Sequence, residues 1–287
     1  MSRIAFLNGS FLPFEEAKVP VTDRGFLLAD GIYEVAAVLD GRLVDNDAHL
    51  ARLDRSLGAI RIRNPYPAAE WTALEEELVR CNGMTEGLVY MEVTRGAAER
   101  DFGFPSPDTP PTVVMFTQAK TIRNSPQAET GITVITVPDL RWKRRDIKSV
   151  GLLGQVLAKQ AAVEAGAGDA WMVEDGFVTE GSSSTAFIVT PDRRVVTRPL
   201  SNAILPGITR VAVMRLSEEA GLSVEERLFT VEEAHGAAEA FITSASSIVM
   251  PVVAIDGRPV GSGKPGPLTA RLRTLYFEVA GELANAV

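Results

Sequence analysis

Short apolar runs alternate with paired turn residues along much of the chain. Asn8-Gly9 separates residues 4–7 from 11–14, Asp40-Gly41 separates 33–39 from 42–44, Asp175-Gly176 divides 170–173 from 177–178, and Asp256-Gly257 follows 252–255. Asn-Gly and Asp-Gly supply the two positive φ values of a tight hairpin turn. Four such signals predict antiparallel sheet, not a string of βαβ units. Helical spacing appears between them. Leu50, Leu53, Leu57 and Ile60 recur behind Asp47, which reads as an N-cap, and Trp71, Leu74 and Leu78 precede Gly83. Further helices are predicted over residues 152–165, ahead of Gly166, and along Ile208, Val211, Ala212 and Leu216, ahead of Gly221. A last one carries Leu268, Leu272, Leu275, Tyr276, Val279 and Leu283 on one side. Glu75-Glu76-Glu77 reads as the wet side of its helix. The mixture is α+β.

The polar stretch 118–130, with Asn124, Ser125 and Pro126, marks a linker. It divides an N-terminal domain, 1–117, from a C-terminal one, 131–287. A chain of 287 residues, 46% hydrophobic and 23% charged, has ample material for two cores and is not a disordered polymer. Its net charge of −8 argues against a broad nucleic-acid surface, which needs excess Lys and Arg. With Cys81 alone no internal disulfide forms, as in a reducing compartment. The start of the chain shows no leader, and no apolar run approaches the roughly 20 residues of a spanning helix. A cytoplasmic protein without membrane contact is expected. With only His49, His235 and Cys81 a zinc site would need carboxylates, and these show no ligand spacing, so no metal is expected.

Three segments carry candidate chemistry. In Asp146-Ile147-Lys148-Ser149, a lysine stands between a strand and a helix start, where it can be aimed into a cleft and act as a free amine nucleophile. In Thr179-Glu180-Gly181-Ser182-Ser183-Ser184, a glutamate among small residues can approach a planar ligand closely. Such a carboxylate can keep an aromatic ring nitrogen protonated. Leu205-Pro206-Gly207-Ile208-Thr209-Arg210 opens a helix whose free N–H groups and dipole suit a phosphate. Each alone has an ordinary explanation as a surface lysine, a polar turn or a plain helix start.

Together and in this order they resemble the fold-type IV pyridoxal-phosphate enzymes. The resemblance also takes in Asp23-Arg24-Gly25-Phe26, Asp30-Gly31-Ile32-Tyr33-Glu34-Val35, His49-Leu50-Ala51-Arg52-Leu53 and Phe241-Ile242-Thr243-Ser244-Ala245-Ser246-Ser247, and so spans nearly the whole chain. It implies a two-domain α+β fold and pyridoxal 5'-phosphate as cofactor. Lys148 is then the Schiff-base lysine and Glu180 the partner of the pyridine nitrogen. Arg52, the N–H groups of Ile208 and Thr209 after Gly207, and the Ser244-Ala245 turn would hold the phosphate. Leu205 would pack on the ring, with Ser183 in the cofactor site and Arg141 near the ring hydroxyl. Where relatives carry threonine this chain has Ala245, so a phosphate contact there must come from backbone.

The segment Tyr33-Glu34-Val35 is most similar to the D-amino-acid transaminases within that group. There a tyrosine joins an arginine and a histidine of the partner subunit to hold the substrate carboxylate. Arg100 falls on the arginine position, but Phe102 replaces the histidine, and Arg95 and Arg24 are further candidates for the carboxylate. The resemblance therefore implies transfer of an amino group from a D-alanine-like donor to a 2-oxo acid such as 2-oxoglutarate. An (R)-amine side activity and a homodimer with a shared active site are also implied. Branched-chain L-amino-acid transamination and aminodeoxychorismate lyase chemistry are the alternatives, and a cofactor-binding protein without catalysis is the non-enzyme reading.

Overall fold

The computed structural model describes residues 2–285, with side chains through Ala280. Contacts divide the chain into two compact units. The first is the chain through Thr121 with Ile147–Gly151, and the second is Ile122–Asp146 with the chain from Leu152 on. The short segment bearing Lys148 thus belongs to the N-terminal unit, and the chain on either side of it belongs to the second.

The first unit contains β1 (Ile4–Leu7), β2 (Ser10–Pro13), α1 (Arg24–Leu28), β3 (Gly31–Leu39), β4 (Arg42–Val44), α2 (Asn46–Ala59), α3 (Ala68–Cys81), β5 (Glu86–Thr94) and β6 (Thr112–Ala119). Its strands form one antiparallel sheet in the order β2-β1-β6-β5-β3-β4. Period-2 alternation divides β3 and β5 between two faces. Ile32, Val38, Val89, Met91 and Val93 join Leu50, Leu53, Leu57, Trp71 and Leu78 of α2 and α3 in the core. Burying each such side chain fully is worth about 1.5–3 kcal/mol. The other face carries an aromatic row in which Tyr33 stacks on Tyr90 and Tyr90 on Phe116.

The second unit contains α4 (Pro126–Thr130), β7 (Ile132–Pro138), α5 (Leu153–Glu164), β8 (Asp169–Glu174), β9 (Phe177–Gly181), β10 (Thr185–Val189), β11 (Val195–Thr197), α6 (Ile208–Glu219), β12 (Val224–Glu226), α7 (Val231–His235), β13 (Glu239–Ser244), β14 (Ile248–Ile255), β15 (Arg258–Pro259) and α8 (Pro267–Asn285). The sheet runs β12-β11-β10-β13-β14-β7-β8-β9, with β15 paired to β14. Its core holds Trp171, Ile188, Val196, Phe229, Ile242 and Val252.

All four hairpin signals form as read. Asn8-Gly9, Asp40-Gly41, Asp175-Gly176 and Asp256-Gly257 each have two successive positive φ angles and join adjacent antiparallel strands. The second sheet is nevertheless mixed, because β14–β7, β7–β8 and β11–β12 are parallel. Parallel neighbours need no tight turn and leave no such mark. Two local readings are corrected. Asp45, in the left-handed region, precedes the first residue of α2, so Asp47 lies inside the first turn, where its charge still suits the helix dipole. Glu75 is 1% exposed and not on a wet face. Three consecutive helical residues sweep about 200° of the helix, and Glu75 falls in line with Trp71, Leu78 and Val79, the buried side of α3.

Candidate active site

In the first unit, the Lys148 segment lies along β3. Tyr33 N–H donates to the Lys148 carbonyl at 3.0 Å, Val150 N–H donates to Gly31, and Ser149 bridges Ile32. This extra strand-like pairing holds the lysine on the aromatic face, where its Nζ sits 4.1 Å from the Tyr33 ring centre. On the opposite face of β3, Glu34 is buried and accepts Arg52 Nε and Nη2 at 2.7 Å each, and His49 Nδ1 at 2.8 Å. Burial alone would raise the Glu34 carboxyl, but the Arg52 charge and hydrogen bonds, with those of His49, hold it down to about 2.

Next to α1, Asp30 collects two arginines. Arg24 Nε donates to Oδ2 at 2.8 Å, while Arg95 donates Nε to Oδ2 and Nη2 to Oδ1 at 2.8 and 2.9 Å. Arg95 also binds the carbonyls of Ile60 and Arg61, and Arg24 binds that of Asp101. Phe104 lies under the guanidinium groups of Arg95 and Arg61, at 3.7 and 4.7 Å. These two arginines are therefore struts beneath the loop that carries Arg100 and Phe102. Both loop residues are exposed, with Phe102 at 80%, and the Arg100 guanidinium lies 5.4 Å from the Phe102 ring.

In the second unit, β9 delivers Glu180 to a buried position where it pairs with Arg141 and accepts the Leu205 N–H at 3.2 Å. Burial raises its carboxyl above the usual range, with the Arg141 charge and hydrogen bond and the Leu205 N–H opposing. Arg141 is itself gripped by Asp139, which also accepts the Thr179 hydroxyl. The turn after Glu180 is built on Asp169, whose two oxygens take the hydroxyls of Ser182 and Ser184. A Cβ on Gly181 would collide with Ser184 Oγ and stand 2.8 Å from Asp169 Oδ2, which explains the glycine. Ser183 alone of the three serines is exposed.

Helix α6 starts at Ile208 behind Gly207, with no side-chain cap. Its first N–H groups are therefore open to an acceptor. A Cβ on Gly207 would stand 2.9 Å from Thr185 Oγ1. Thr185 pairs in register with Thr243, whose own hydroxyl is buried and has no partner among the described residues. Strand β13 ends in a hydroxyl cluster where Ser244 meets Ser246 and Ser247 at 3.2 and 2.7 Å. Ile248, at φ 60°, closes that turn, and Arg273 Nη1 clamps the carbonyls of Ser247 and Val249.

Residues 31–255 match the family of amino-transferases of class IV. D-alanine aminotransferase of Staphylococcus aureus (strain MSSA476) is 41% identical over 268 residues, covering 93% of this chain and 94% of the relative. That of Bacillus licheniformis is 40% identical over 282 residues, covering 98% of each. This chain is a class IV aminotransferase. Among solved structures, a branched-chain amino acid aminotransferase of T.th. with pyridoxamine 5'-phosphate shares the aminotransferase's fold. Its TM-score is 0.89 at 27% identity, with 98% of this chain and 94% of that one covered.

Class IV aminotransferases use pyridoxal phosphate, and the residues of this aminotransferase suit it. An uncapped helix start beside an orphaned buried hydroxyl is a donor set for a phosphate group. A buried carboxylate of raised basicity is an acceptor for a protonated ring nitrogen. Gly207, Ile208, Thr209, Ser244 and Ala245 stand out in the sequence as phosphate candidates, whereas Thr243 and Thr185 do not. Their alternation with Ala186 and Ile242 on paired strands was the available signal. Asp169, Asp139 and Arg273 were also missed, because a buried acid or arginine far along the chain reveals its partner only in three dimensions.

Proposed function

We propose that this class IV aminotransferase moves the amino group of a D-alanine-like amino acid to a 2-oxo acid such as 2-oxoglutarate. The observation that carries the reading is about 40% identity to D-alanine aminotransferases across nearly the full chain, with Tyr33 set under Lys148. When bound, the cofactor supplies an aldehyde that takes the amino group and an electron-withdrawing ring.

The chain's own residues supply the rest. Lys148 Nζ would hold the cofactor, and as a free amine it would carry the proton on and off the substrate's Cα. Glu180 keeps the ring nitrogen protonated, and its own orientation is fixed by Arg141 and the Leu205 N–H. Leu205 would pack on the ring. Ile208 and Thr209 N–H groups, Ser244, the Ala245 backbone and Arg52 take the phosphate, with Ser183 the hydroxyl of its turn left free for the ligand. Tyr33 meets the substrate. Arg24 and Arg95, committed to Asp30, support the Arg100 loop. Its exposed Arg100 and Phe102 serve the active site of a partner subunit in a homodimer, and a guanidinium there can clasp a carboxylate bidentately. Among the described residues no helix is long and apolar enough to cross a membrane, and a cytoplasmic location accords with the lone Cys81.

The experiment is a side-by-side assay of the purified, cofactor-loaded enzyme on D-alanine, L-leucine, (R)-1-phenylethylamine and aminodeoxychorismate, with 2-oxoglutarate as acceptor for the amine donors. D-alanine is expected to give the highest kcat/KM. Activity confined to L-leucine would overturn the D-specific reading.

A further inference from the structure

The wall beneath Lys148 contains an acid that the proposed chemistry does not use. Register places Glu92 of β5 directly opposite Tyr33 of β3, and directly opposed residues of an antiparallel ladder carry neighbouring side chains on one face. Tyr90, two residues before Glu92 on β5, shares this face. Its ring stacks on Tyr33 with centroids 5.6 Å apart, and its hydroxyl donates to Glu92 Oε2 at 2.7 Å. Glu92 is half-buried, and among the described residues no cation pairs with it. Burial raises its carboxyl above the usual range, the Tyr90 hydroxyl opposes, and the nearby Asp23 carboxylate adds to the rise.

We propose that Glu92 is a specificity-determining residue, whose acid beside Tyr33 weakens the hold on a substrate carboxylate and shifts preference toward primary amines that lack one. This rests on the reading of Lys148 as the cofactor lysine and Tyr33 as a substrate contact. Two physical effects point the same way. Like charges in a half-buried wall disfavour one another. In addition, a phenol has one proton to donate, and Tyr90 spends its own on Glu92 and offers none to a substrate. Replacement by glutamine removes the charge, keeps an acceptor for Tyr90, and adds an N–H donor for a carboxylate.

The test compares kcat/KM for alanine and for (R)-1-phenylethylamine in wild type, Glu92→Gln and Glu92→Ser, each loaded with pyridoxal phosphate. In Glu92→Gln the alanine-to-amine ratio is expected to rise about tenfold, through a lower KM for alanine. Glu92→Ser, which removes the charge without mimicking the shape, is expected to move the ratio in the same direction. A ratio within about twofold of wild type in both variants, or one that falls, overturns the proposal. Both enantiomers of alanine are assayed. Wild-type activity on L-alanine alone would overturn the D-specific reading, and the ratio taken with the L-donor would still decide the role of Glu92.

Discussion

Lys148 Nζ lies 4.1 Å from the centre of the Tyr33 ring, and the Lys148 carbonyl accepts the Tyr33 N–H at 3.0 Å. The lysine is thus tied to one strand residue by main chain and side chain at once. The main-chain tie survives truncation of the side chain, so Lys148→Ala is expected to fold. It is expected to lose transamination by about 10³-fold or more, together with the visible absorbance of the lysine-bound cofactor. Turnover near the wild-type rate would remove Lys148 from the chemistry. Tyr33→Phe keeps the ring under the amine and is expected to raise the KM for D-alanine several-fold.

Glu180 offers a separate test, because its partners are known. It pairs with Arg141 and accepts the Leu205 N–H, so Glu180→Gln preserves the shape and removes the basic oxygen. A neutral amide cannot hold a proton on a ring nitrogen. The expected result is a fall in kcat of about 10²-fold with cofactor at saturation, and little change in KM. Stopped-flow half-reactions with D-alanine would measure it. A loss of less than about threefold would show that Glu180 does not serve the ring.

Asp169 holds the turn that follows Glu180. Its two carboxylate oxygens hold Ser182 and Ser184, and all three residues are buried. Asp169→Ala leaves two buried hydroxyls without acceptors, at about 1–3 kcal/mol each. A lower Tm and weaker pyridoxal phosphate uptake should appear together in thermal melts with and without cofactor. The Ser183→Ala variant, whose residue is exposed, should leave the Tm of the cofactor-free protein unchanged.

These cases indicate what can be read from one chain. The hairpins were legible because Asn-Gly and Asp-Gly have few other uses, and each pair carries two positive φ angles in the fold. Lys148, Glu180 and Gly207 stand out in the sequence only as an ordered set, since a covalent anchor, a ring partner and a phosphate seat are what one such cofactor would need. Arg24 and Arg95 show what the sequence leaves hidden. An arginine near a site reads as a ligand, yet both are engaged by Asp30, six residues from one and 65 from the other. Which carboxylate claims an arginine is decided by packing, which periodicity does not encode. Glu75 was misread because a run of three acids looks solvated, while helix geometry turns one of them inward.

That inward turn gives the last prediction. Glu75 is buried on α3 with Asn46 Nδ2 as donor at 3.0 Å, and burial raises its carboxyl to about 7, with Asn46 opposing and the Glu34 and Glu76 charges adding. The unfolded chain titrates this group near 4.5, so between pH 4.5 and 7 the folded state binds more protons. Stability from this group therefore falls as pH rises through that interval and stays low above it, by about 3 kcal/mol in all. Glu34, held at about 2, has the opposite slope, because its contribution is present above 4.5 and is lost as pH falls towards 2. Glu75→Gln is consequently expected to be more stable than wild type at about pH 8, by about 1–3 kcal/mol, and nearly equal to it at about pH 4.5. Urea denaturation at both pH values measures the difference. A gap between the two proteins that does not change with pH would mean that Glu75 is not a buried titrating group.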